Sequence, residues 1–273
     1  MKSLLLRTAS GIVLIGLVAG AILWNEYAFF LLSLVIFTLG YIEFRNMFLI
    51  KHQLLFALLL ITGQSLLLLF YLVVTGILVP GWLIALPLFL IIFFTLYTLN
   101  NRTGSLSEMT LLTWGMIWIT GTMLFLLGLG WVSAGKTYDP LLPVSLLAIV
   151  WTYDTMAYVF GKLLGKRLLW PSISPAKTWE GMIMGMLVAA ITGAILYYTT
   201  RSYSLALWII MAFIISLAAL MGDLFESRLK REAGVKDSGK IIPGHGGILD
   251  RFDSLMFAAP VGFGIISIWQ LLS

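Results

Sequence analysis

The sequence predicts an all-α, polytopic helical membrane protein, because its composition, its long apolar runs and its uneven charge distribution all indicate that class. Hydrophobic residues make up 60% of the 273 residues and charged residues 11%, whereas soluble domains carry about 25% charged residues. Runs of about 20 apolar residues can cross about 30 Å of hydrocarbon as α-helices. The chain contains no cysteine, which excludes disulfides and thiolate metal sites.

Apolar segments separated by polar connections predict about nine transmembrane helices. They lie at approximately 8–24, 27–46, 54–76, 81–99, 109–131, 143–163, 181–200, 204–222 and 254–272. The first follows Lys2 and Arg7 and contains the triplet Ala19-Gly20-Ala21, which resembles a signal-peptidase site. We expect this helix to be retained, because its apolar character continues past the triplet and eight further spans follow.

Basic residues are concentrated in alternate connections, which predicts the orientation of the helices. The N-terminus and every second connection carry 15 of the 17 Lys and Arg residues, and the opposite side carries only Lys136 and Arg201. This asymmetry predicts a cytoplasmic N-terminus, an outside C-terminus and two charged cytoplasmic loops, 162–180 and 223–253. We therefore distinguish N-terminal scaffold helices, residues 1–142, from a C-terminal region, residues 143–273, that carries both loops.

The second of these loops holds an unusual density of charge between two apolar runs. Residues 223–253 contain 12 of the 29 Asp, Glu, Lys and Arg residues of the chain. A single charged side chain at a bilayer centre costs roughly 2.5–3.5 kcal/mol on insertion scales, so the stretch cannot lie in lipid. It is predicted to be a polar connection at the membrane surface, and anchoring alone does not explain its charge.

Two acidic pairs in this loop suggest a metal site: Asp223 with Glu226, and Asp250 with Asp253. Each pair has helical i, i+3 spacing if the flanking helices extend into the loop. Consecutive helices are usually neighbours, so up to four carboxylates can converge. Mg²⁺ accepts carboxylate oxygens together with water and phosphate ligands, which favours this ion. The alternative is local salt bridging, because Arg228, Lys230 and Arg251 are interleaved with the acids.

A glycine-rich segment beside the acids suggests an anion site. Pro243 is followed by Gly244, His245, Gly246 and Gly247, and such a backbone can turn its N–H groups towards an anion. His245 either donates to a phosphate oxygen or caps a plain turn. The nearby cations Lys230, Arg231, Lys236 and Lys240 suit several phosphates, or they attract anionic lipid headgroups.

A second group of polar residues lies near the first charged loop. Asp154 falls within the sixth predicted span, two helical turns before Lys162, and an acid at that depth marks a functional site or a structural pair with a neighbouring helix. Ser174 followed by Pro175 predicts the N-cap and first position of the seventh helix. Lys177 and Thr178 beside that helix end suit a phosphate. Gly181 and Gly185 are expected to allow close helix packing.

The residues described so far carry a resemblance to a known family. The run from Ser227 to Asp253, SRLKREAGVKDSGKIIPGHGGILDRFD, resembles the signature of the phosphatidate cytidylyltransferases, or CDP-diacylglycerol synthases. The block from Ser174 to Gly181, SPAKTWEG, is similar to a second block of that family. The similarity covers approximately residues 150–254, whereas the first five spans share only their hydrophobicity. The resemblance implies a nucleotidyltransferase that converts CTP and phosphatidic acid to CDP-diacylglycerol and pyrophosphate and requires magnesium.

The resemblance and the charges together predict roles for residues of the active site. We expect Asp223 and Asp250 to bind Mg²⁺, with Asp253 and Glu226 as weaker ligands. The predicted catalytic cations and donor are Lys230, Arg231 and His245. The predicted substrate-binding set is Asp154, Lys162, Ser174, Lys177, Thr178, Glu180, Lys236, Asp237, Gly244, Gly246, Gly247 and Arg251. No strong general base is required, because a phosphomonoester is already anionic at neutral pH.

Other functions and partners follow from the same residues. A CTP-dependent polyprenol or phytol kinase, or a membrane transporter without enzymatic activity, remains an alternative, whereas the aspartate pattern of CDP-alcohol phosphotransferases is missing from the sequence. The expected partners are phosphatidic acid, CTP and membrane lipid, without nucleic acid. The sequence leaves open whether the protein forms a homodimer. We expect a bacterial inner-membrane location with the active site on the cytoplasmic face.

Overall fold

The computed structural model describes residues 2–81, 106–132, 137–242, 244 and 246–272. Its helices are α1 Lys2–Trp24, α2 Glu26–Met47, α3 Gln53–Val74, α4 Leu106–Leu129, α5 Leu141–Leu164, α6 Trp179–Thr200, α7 Leu205–Glu232, α8 Leu249–Phe252 and α9 Leu255–Leu272. Two short strands, β1 Leu168–Trp170 and β2 Ser174–Thr178, form an antiparallel hairpin between α5 and α6.

The predicted class, an all-α polytopic membrane protein, is confirmed, with the hairpin as a small addition. Within the described residues, seven helices are long and apolar enough to cross a bilayer, and Ser10–Trp24 forms a shorter apolar helix. The predicted span at 81–99 lies almost wholly outside the described residues. The count of nine spans, the positions of the termini relative to the membrane, and the division at residue 142 therefore stay predictions.

Small residues bring α5 and α6 into close contact, as the sequence predicted. A Cβ atom added to Gly181 would lie 2.5 Å from the carbonyl oxygen of Ala157, and one added to Gly185 would lie 3.0 Å from the Ala157 Cβ atom. Glycine at these positions lets the two backbones approach at van der Waals distance. This contact fixes α6, and the hairpin before it, against the helix that carries Asp154.

The predicted helix start at Ser174 is wrong. Ser174 lies in β2, where it pairs with Trp170, and Thr178 pairs with Leu168. Helix α6 begins at Trp179, and the Thr178 hydroxyl oxygen caps it by accepting from the Gly181 N–H at 3.2 Å. Ser-Pro is typical of a helix start, but pairing with β1 takes the residues into a strand and moves the N-cap four positions along the chain.

Helix α7 extends beyond the apolar run that predicted it. The run ends near Gly222, yet the helix continues to Glu232. It stops in a Schellman motif, because Gly234 has a φ of +70°, its N–H donates to the Arg231 carbonyl oxygen at 3.1 Å, and the Val235 N–H donates to the Lys230 carbonyl oxygen at 2.9 Å. The additional turns carry the charged side chains of the site.

The remaining helices pack around these elements. Helix α4 contacts α2, α3 and α9, and α7 contacts α6 and α9. The buried face of α2 carries Phe37, Tyr41 and Phe44, all fully inaccessible. At its C-terminal end, α2 also reaches the short helix α8, so the N-terminal half of the chain contacts the charged loop directly.

Candidate active site: two adjoining cavities beside α5 and α7

One face of α7 presents a line of charged side chains to the site. Asp223, Glu226 and Lys230 have i, i+3 and i+7 spacing within a continuous helix, which places them on the same face. Gly222 allows α7 to approach the junction of α8 and α9, because a Cβ atom there would lie 2.4 Å from the Asp253 carbonyl oxygen. The helix that carries Asp223 thus contacts the backbone of the segment that carries Asp250 and Asp253.

A cavity of about 490 Å³ collects seven of the predicted site residues. Its lining includes the charged residues Asp154, Asp223, Lys230, Asp237, Asp250, Arg251 and Asp253. The less polar part of the wall comes from Gly11 and Leu14 of α1 and from Trp151 of α5. The structure therefore brings acids from α5, α7 and the α8–α9 segment to one place, as the paired spacing in the sequence suggested for the last two.

Lys230 joins two of these acids by ion pairs. Its ammonium group forms an ion pair with Glu226 and lies 2.7 Å from Asp250 Oδ1. All three side chains are largely buried, with 12%, 1% and 5% of their surfaces exposed respectively. Glu226 and Asp250 therefore form local salt bridges in this structure, which was the alternative to metal binding. Arg228 takes part elsewhere, in an exposed pair with Glu232.

Asp250 also fastens the glycine-rich segment to the site. Its Oδ2 atom accepts from the Ser238 N–H at 2.9 Å, the Ser238 hydroxyl at 3.0 Å and the Gly247 N–H at 2.8 Å. Gly246 has a φ of +86°, and a Cβ atom there would lie 2.6 Å from Asp250 Oδ2. The unusual backbone predicted for this segment is present at Gly244 and Gly246, but the Gly247 N–H donates to the Asp250 carboxylate, so that carboxylate takes the place expected for a phosphate.

A second cavity, of about 230 Å³, adjoins the first and is less polar. Apolar and aromatic side chains form most of its wall: Tyr153, Ala157, Tyr158, Leu169, Ala176, Met182 and Leu220. The hairpin contributes Ser174, Lys177 and Thr178. Asp154 and Asp223 line both cavities, and the Lys177 ammonium group lies 2.5 Å from Asp223 Oδ2. The two cavities thus meet at a pair of aspartates beside one lysine.

The other predicted site residues have different surroundings. Glu180 accepts the backbone N–H groups of Lys166 and Arg167 at 3.0 and 3.2 Å, so its role in this structure is to hold the hairpin. Lys162, Arg231 and Lys236 are exposed and line neither cavity. Gly244 is exposed with a φ of +77°. His245 lies outside the described residues.

The carboxylates around the larger cavity fit a Mg²⁺ ion that arrives with phosphate ligands. Asp253 interacts with the charges of Asp223, Glu226 and Asp154, and clustered buried acids repel one another unless a cation balances them. Within the described part of the chain, no three acidic or histidine side chains converge in an arrangement that would hold a metal unaided. Mg²⁺ commonly takes only one or two protein carboxylates and completes its shell with water and substrate phosphate.

Three residues of the site were missed by the sequence analysis. Ser238 and Ser254 contact Asp250 and Asp154 through their side chains, and a serine in a polar loop gives no signal of such a role. Glu43 on α2 accepts from the Leu249 N–H at 3.0 Å. The signal for Glu43 was available, because an acid within an apolar span marks a functional site by default.

The sequence matches the cytidylyltransferase family over residues 5–269. A phosphatidate cytidylyltransferase of Staphylococcus saprophyticus is 46% identical over 138 residues, which are 49% of this chain and 53% of that protein. That of Staphylococcus aureus strain COL is 53% identical over 116 residues, covering 41% of this chain and 44% of the relative. That of Staphylococcus haemolyticus is 50% identical over 115 residues, with the same coverage. The chain spans about half the length of these relatives.

Fold and site define a polytopic membrane protein in which charged side chains from several helices and a hairpin surround two adjoining cavities. The family match extends over nearly the whole chain, including the N-terminal helices that carried no motif. This protein belongs to the cytidylyltransferase family.

Proposed function

We propose that this protein is a phosphatidate cytidylyltransferase, which forms CDP-diacylglycerol and pyrophosphate from phosphatidic acid and CTP. The observation that carries the proposal is the pair of adjoining cavities, one largely apolar and one lined by carboxylates, that share Asp154 and Asp223. Two such compartments with a common charged boundary suit a reaction between an anionic lipid and a nucleotide, because the lipid phosphate and the nucleotide phosphates can meet there. Family membership and the names of the similar proteins support the same activity.

The smaller cavity has the chemistry of a lipid-phosphate site. Its apolar wall lies between α5, α6 and the hairpin, and Lys177 is its cation. Lys177 is 22% exposed and contacts Asp223, so a phosphate bound at its ammonium group would lie beside the larger cavity. Ser174 supplies a further hydroxyl donor in the same wall. We assign the phosphate of phosphatidic acid to this position.

The larger cavity has the chemistry of a nucleotide-phosphate and metal site. Asp223 and Asp253 are the carboxylates that would hold Mg²⁺ together with phosphate and water, and Asp250, whose Oδ1 atom is paired with Lys230, would add its charge to the same site. Glu226 stays paired with Lys230. When bound, magnesium would neutralise charge on the triphosphate and on the departing pyrophosphate. Arg251 at the rim of this cavity is an exposed cation for the same phosphates.

The proposed reaction is an in-line displacement that needs positioning and charge neutralisation. An anionic oxygen of the lipid phosphate attacks the α-phosphorus of CTP, and the bond between that phosphorus and the oxygen leading to the β-phosphate breaks. Pyrophosphate leaves with the bonding electron pair. No proton has to be removed from the attacking oxygen, since the second pKa of a phosphomonoester is near 6. Lys177 and Lys230 then act by holding phosphates and carboxylates in place.

The test is a reaction of the purified full chain in detergent with phosphatidic acid, magnesium and CTP labelled at the α-phosphate. We expect label in a lipid-extractable CDP product, one pyrophosphate per CDP-lipid, and loss of both products when EDTA is present. Release of CDP together with a phosphorylated alcohol would instead identify a CTP-dependent lipid kinase. No turnover of CTP with any lipid would favour the transporter alternative.

We also propose that the site faces the cytoplasm of a bacterial inner membrane. The 15 to 2 distribution of basic residues between the two sides supports this orientation. Because the chain has no cysteine, single cysteines introduced as Lys236→Cys and Ser202→Cys can be labelled with an impermeant maleimide. We expect Ser202→Cys to react in intact cells lacking an outer membrane, and Lys236→Cys to react only after lysis.

The homodimer also stays a prediction. Native mass spectrometry of the detergent-solubilised chain would check it, because detergent molecules can be removed in the gas phase while a stable subunit contact persists. A single mass near the 30.3 kDa of one chain would contradict it.

A further inference from the structure

A buried acid outside the predicted active site contacts the segment that carries Asp250. Glu43 lies on α2, five residues before Phe48, and is only 3% exposed. Its Oε2 atom accepts from the Leu249 N–H at 3.0 Å and lies 3.3 Å from the Ser238 hydroxyl oxygen. These contacts join residues separated by about 200 positions in the sequence, and they are the polar link between α2 and the charged loop within the described residues.

The loop is shaped around this carboxylate. A Cβ atom added to Gly239 would lie 2.2 Å from Glu43 Oε1, and one added to Gly247 would lie 2.4 Å from Glu43 Oε2. Side chains at either position would therefore overlap the carboxylate group. Gly239 and Gly247 therefore allow the backbone to lie close to the acid at two points of the loop.

Glu43 reaches Asp250 through a single shared residue. The Ser238 hydroxyl lies 3.3 Å from Glu43 Oε2 and 3.0 Å from Asp250 Oδ2. Because a hydroxyl has one proton, it can donate to only one of the two carboxylates at a time. Leu249, whose N–H donates to Glu43, directly precedes Asp250 in the chain. Glu43 also contacts the backbone of Ile248, so its contacts at residues 238, 248 and 249 all bear on the position of Asp250.

Packing alone does not account for an acid at this position. Burying a carboxylate is unfavourable unless its oxygens are satisfied, and Glu43 Oε1 has no hydrogen-bond partner among the described residues. The neighbouring face of α2 is otherwise apolar and aromatic, so the carboxylate is the polar exception there and serves the loop that packs against it. A polar group kept in such surroundings is better explained by what it positions.

We propose that Glu43 is a positioning residue for the cytidylyltransferase reaction, holding residues 238 and 247–249 so that Asp250 faces the nucleotide phosphates. The expected effect of Glu43 on the kinetics rests on the proposed function, whereas its contacts with the loop do not. Glu43 lies away from the smaller cavity, whose lining comes from α5, α6, α7 and the hairpin. Binding of CTP and magnesium should therefore depend on Glu43, and binding of phosphatidic acid should not.

The kinetic test compares Glu43→Ala with the matched control Glu26→Gln in the full chain. Glu26 lies on the same helix 17 residues earlier, about 25 Å away along the axis. We expect Glu43→Ala to raise the KM for CTP and the magnesium concentration for half-maximal rate by about ten- to a hundredfold, as for residues that orient metal ligands. The KM for phosphatidic acid should be unchanged, and Glu26→Gln should behave as the unmodified chain. Unchanged kinetics of Glu43→Ala would overturn the proposal. A lower kcat with every KM unchanged would also overturn it, because that result shows only that a smaller fraction of the protein molecules is active.

A second arm does not depend on folding of the alanine variant. Glu43→Gln retains the shape and one acceptor oxygen, and Ser238→Ala removes the shared hydroxyl. If Glu43 acts through Ser238, the double variant loses no more activity than the worse single variant. If the activity of the double variant instead falls by the product of the two single losses, the two residues act independently and the connection between them is overturned.

Hydrogen–deuterium exchange separates failure of this inference from failure of the proposed activity. In Glu43→Gln, peptides covering residues 238–250 should exchange faster, and peptides of α6 should exchange as before. If the unmodified chain makes no CDP-lipid, the proposed activity fails while exchange still tests the contact. If it does make CDP-lipid and residues 238–250 exchange equally in both proteins, only the role of Glu43 fails.

Discussion

Replacing Asp250 with asparagine separates the structural role of this side chain from its proposed role in the reaction. Asp250 Oδ2 accepts three hydrogen bonds from Ser238 and Gly247, and Oδ1 lies 2.7 Å from the Lys230 ammonium group. An asparagine oxygen can replace Oδ2, and the amide nitrogen would then face Lys230, donor against donor. The substitution removes the charge and one ion pair while keeping the contacts to the glycine-rich segment.

The stability cost follows from that single lost contact. A hydrogen bond to a charged group contributes about 1.5–3 kcal/mol, and Lys230 keeps its pair with Glu226, so we expect about 2 kcal/mol of destabilisation. Domains are typically stable by about 5–15 kcal/mol, and the variant should therefore stay folded at 25 °C. The loss in kcat should be much larger, about a hundredfold or more, because the site loses a preorganised charge.

The assay measures CDP-lipid formation beside thermal unfolding in detergent for Asp250→Asn and for Glu232→Gln. Glu232 is an acid on α7 whose ion pair with Arg228 is exposed, so its loss should change activity little and stability by less than about 0.5 kcal/mol. Near-normal turnover by Asp250→Asn would remove this side chain from the magnesium and phosphate site. An unfolded Asp250→Asn protein would show instead that the stability calculation is wrong.

Three further substitutions test separate parts of the site. Lys177→Met should lower kcat/KM for phosphatidic acid at least about tenfold without changing the KM for CTP, and an effect on CTP alone would contradict the lipid-phosphate assignment. Gly246→Ala should cost about 1–2 kcal/mol, because its φ is +86°, and should reduce activity by displacing Asp250, whereas wild-type unfolding would refute the backbone argument. Thr178→Val should lower stability by about 1 kcal/mol through loss of the α6 cap while Thr178→Ser preserves it, and equal unfolding temperatures would contradict the capping role.

Local sequence patterns predicted the helices and the grouping of acids, because both depend on spacing along the chain. Asp223 and Glu226 lie on one face of α7, and α8 with the turn after it places Asp250 and Asp253 beside them, as expected for consecutive helices that pack together. Ser174 shows the limit of such patterns. Its Ser-Pro signal is typical of a helix start, but pairing with Trp170 in the hairpin prevailed over the local preference.

Contacts between distant parts of the chain could not be predicted from the sequence. The Lys177–Asp223 ion pair joins a hairpin to the middle of α7, and Glu43 contacts Leu249 from the other half of the protein. No spacing rule links residues that lie so far apart in the chain. The interleaved charges also gave no means to decide which acids pair with Lys230 and which face the cavity, because that depends on how α7 and α8 are turned towards each other.

The binding of a divalent cation with nucleotide tests the central claim most directly. Electron paramagnetic resonance of Mn²⁺, used in place of Mg²⁺, counts bound ions in the purified protein with and without CTP. We expect Mn²⁺ to bind the unmodified chain when CTP is present, and this binding to be lost when Asp223→Asn and Asp253→Asn are combined. Equal Mn²⁺ and CTP binding by the unmodified and the doubly substituted protein would contradict it.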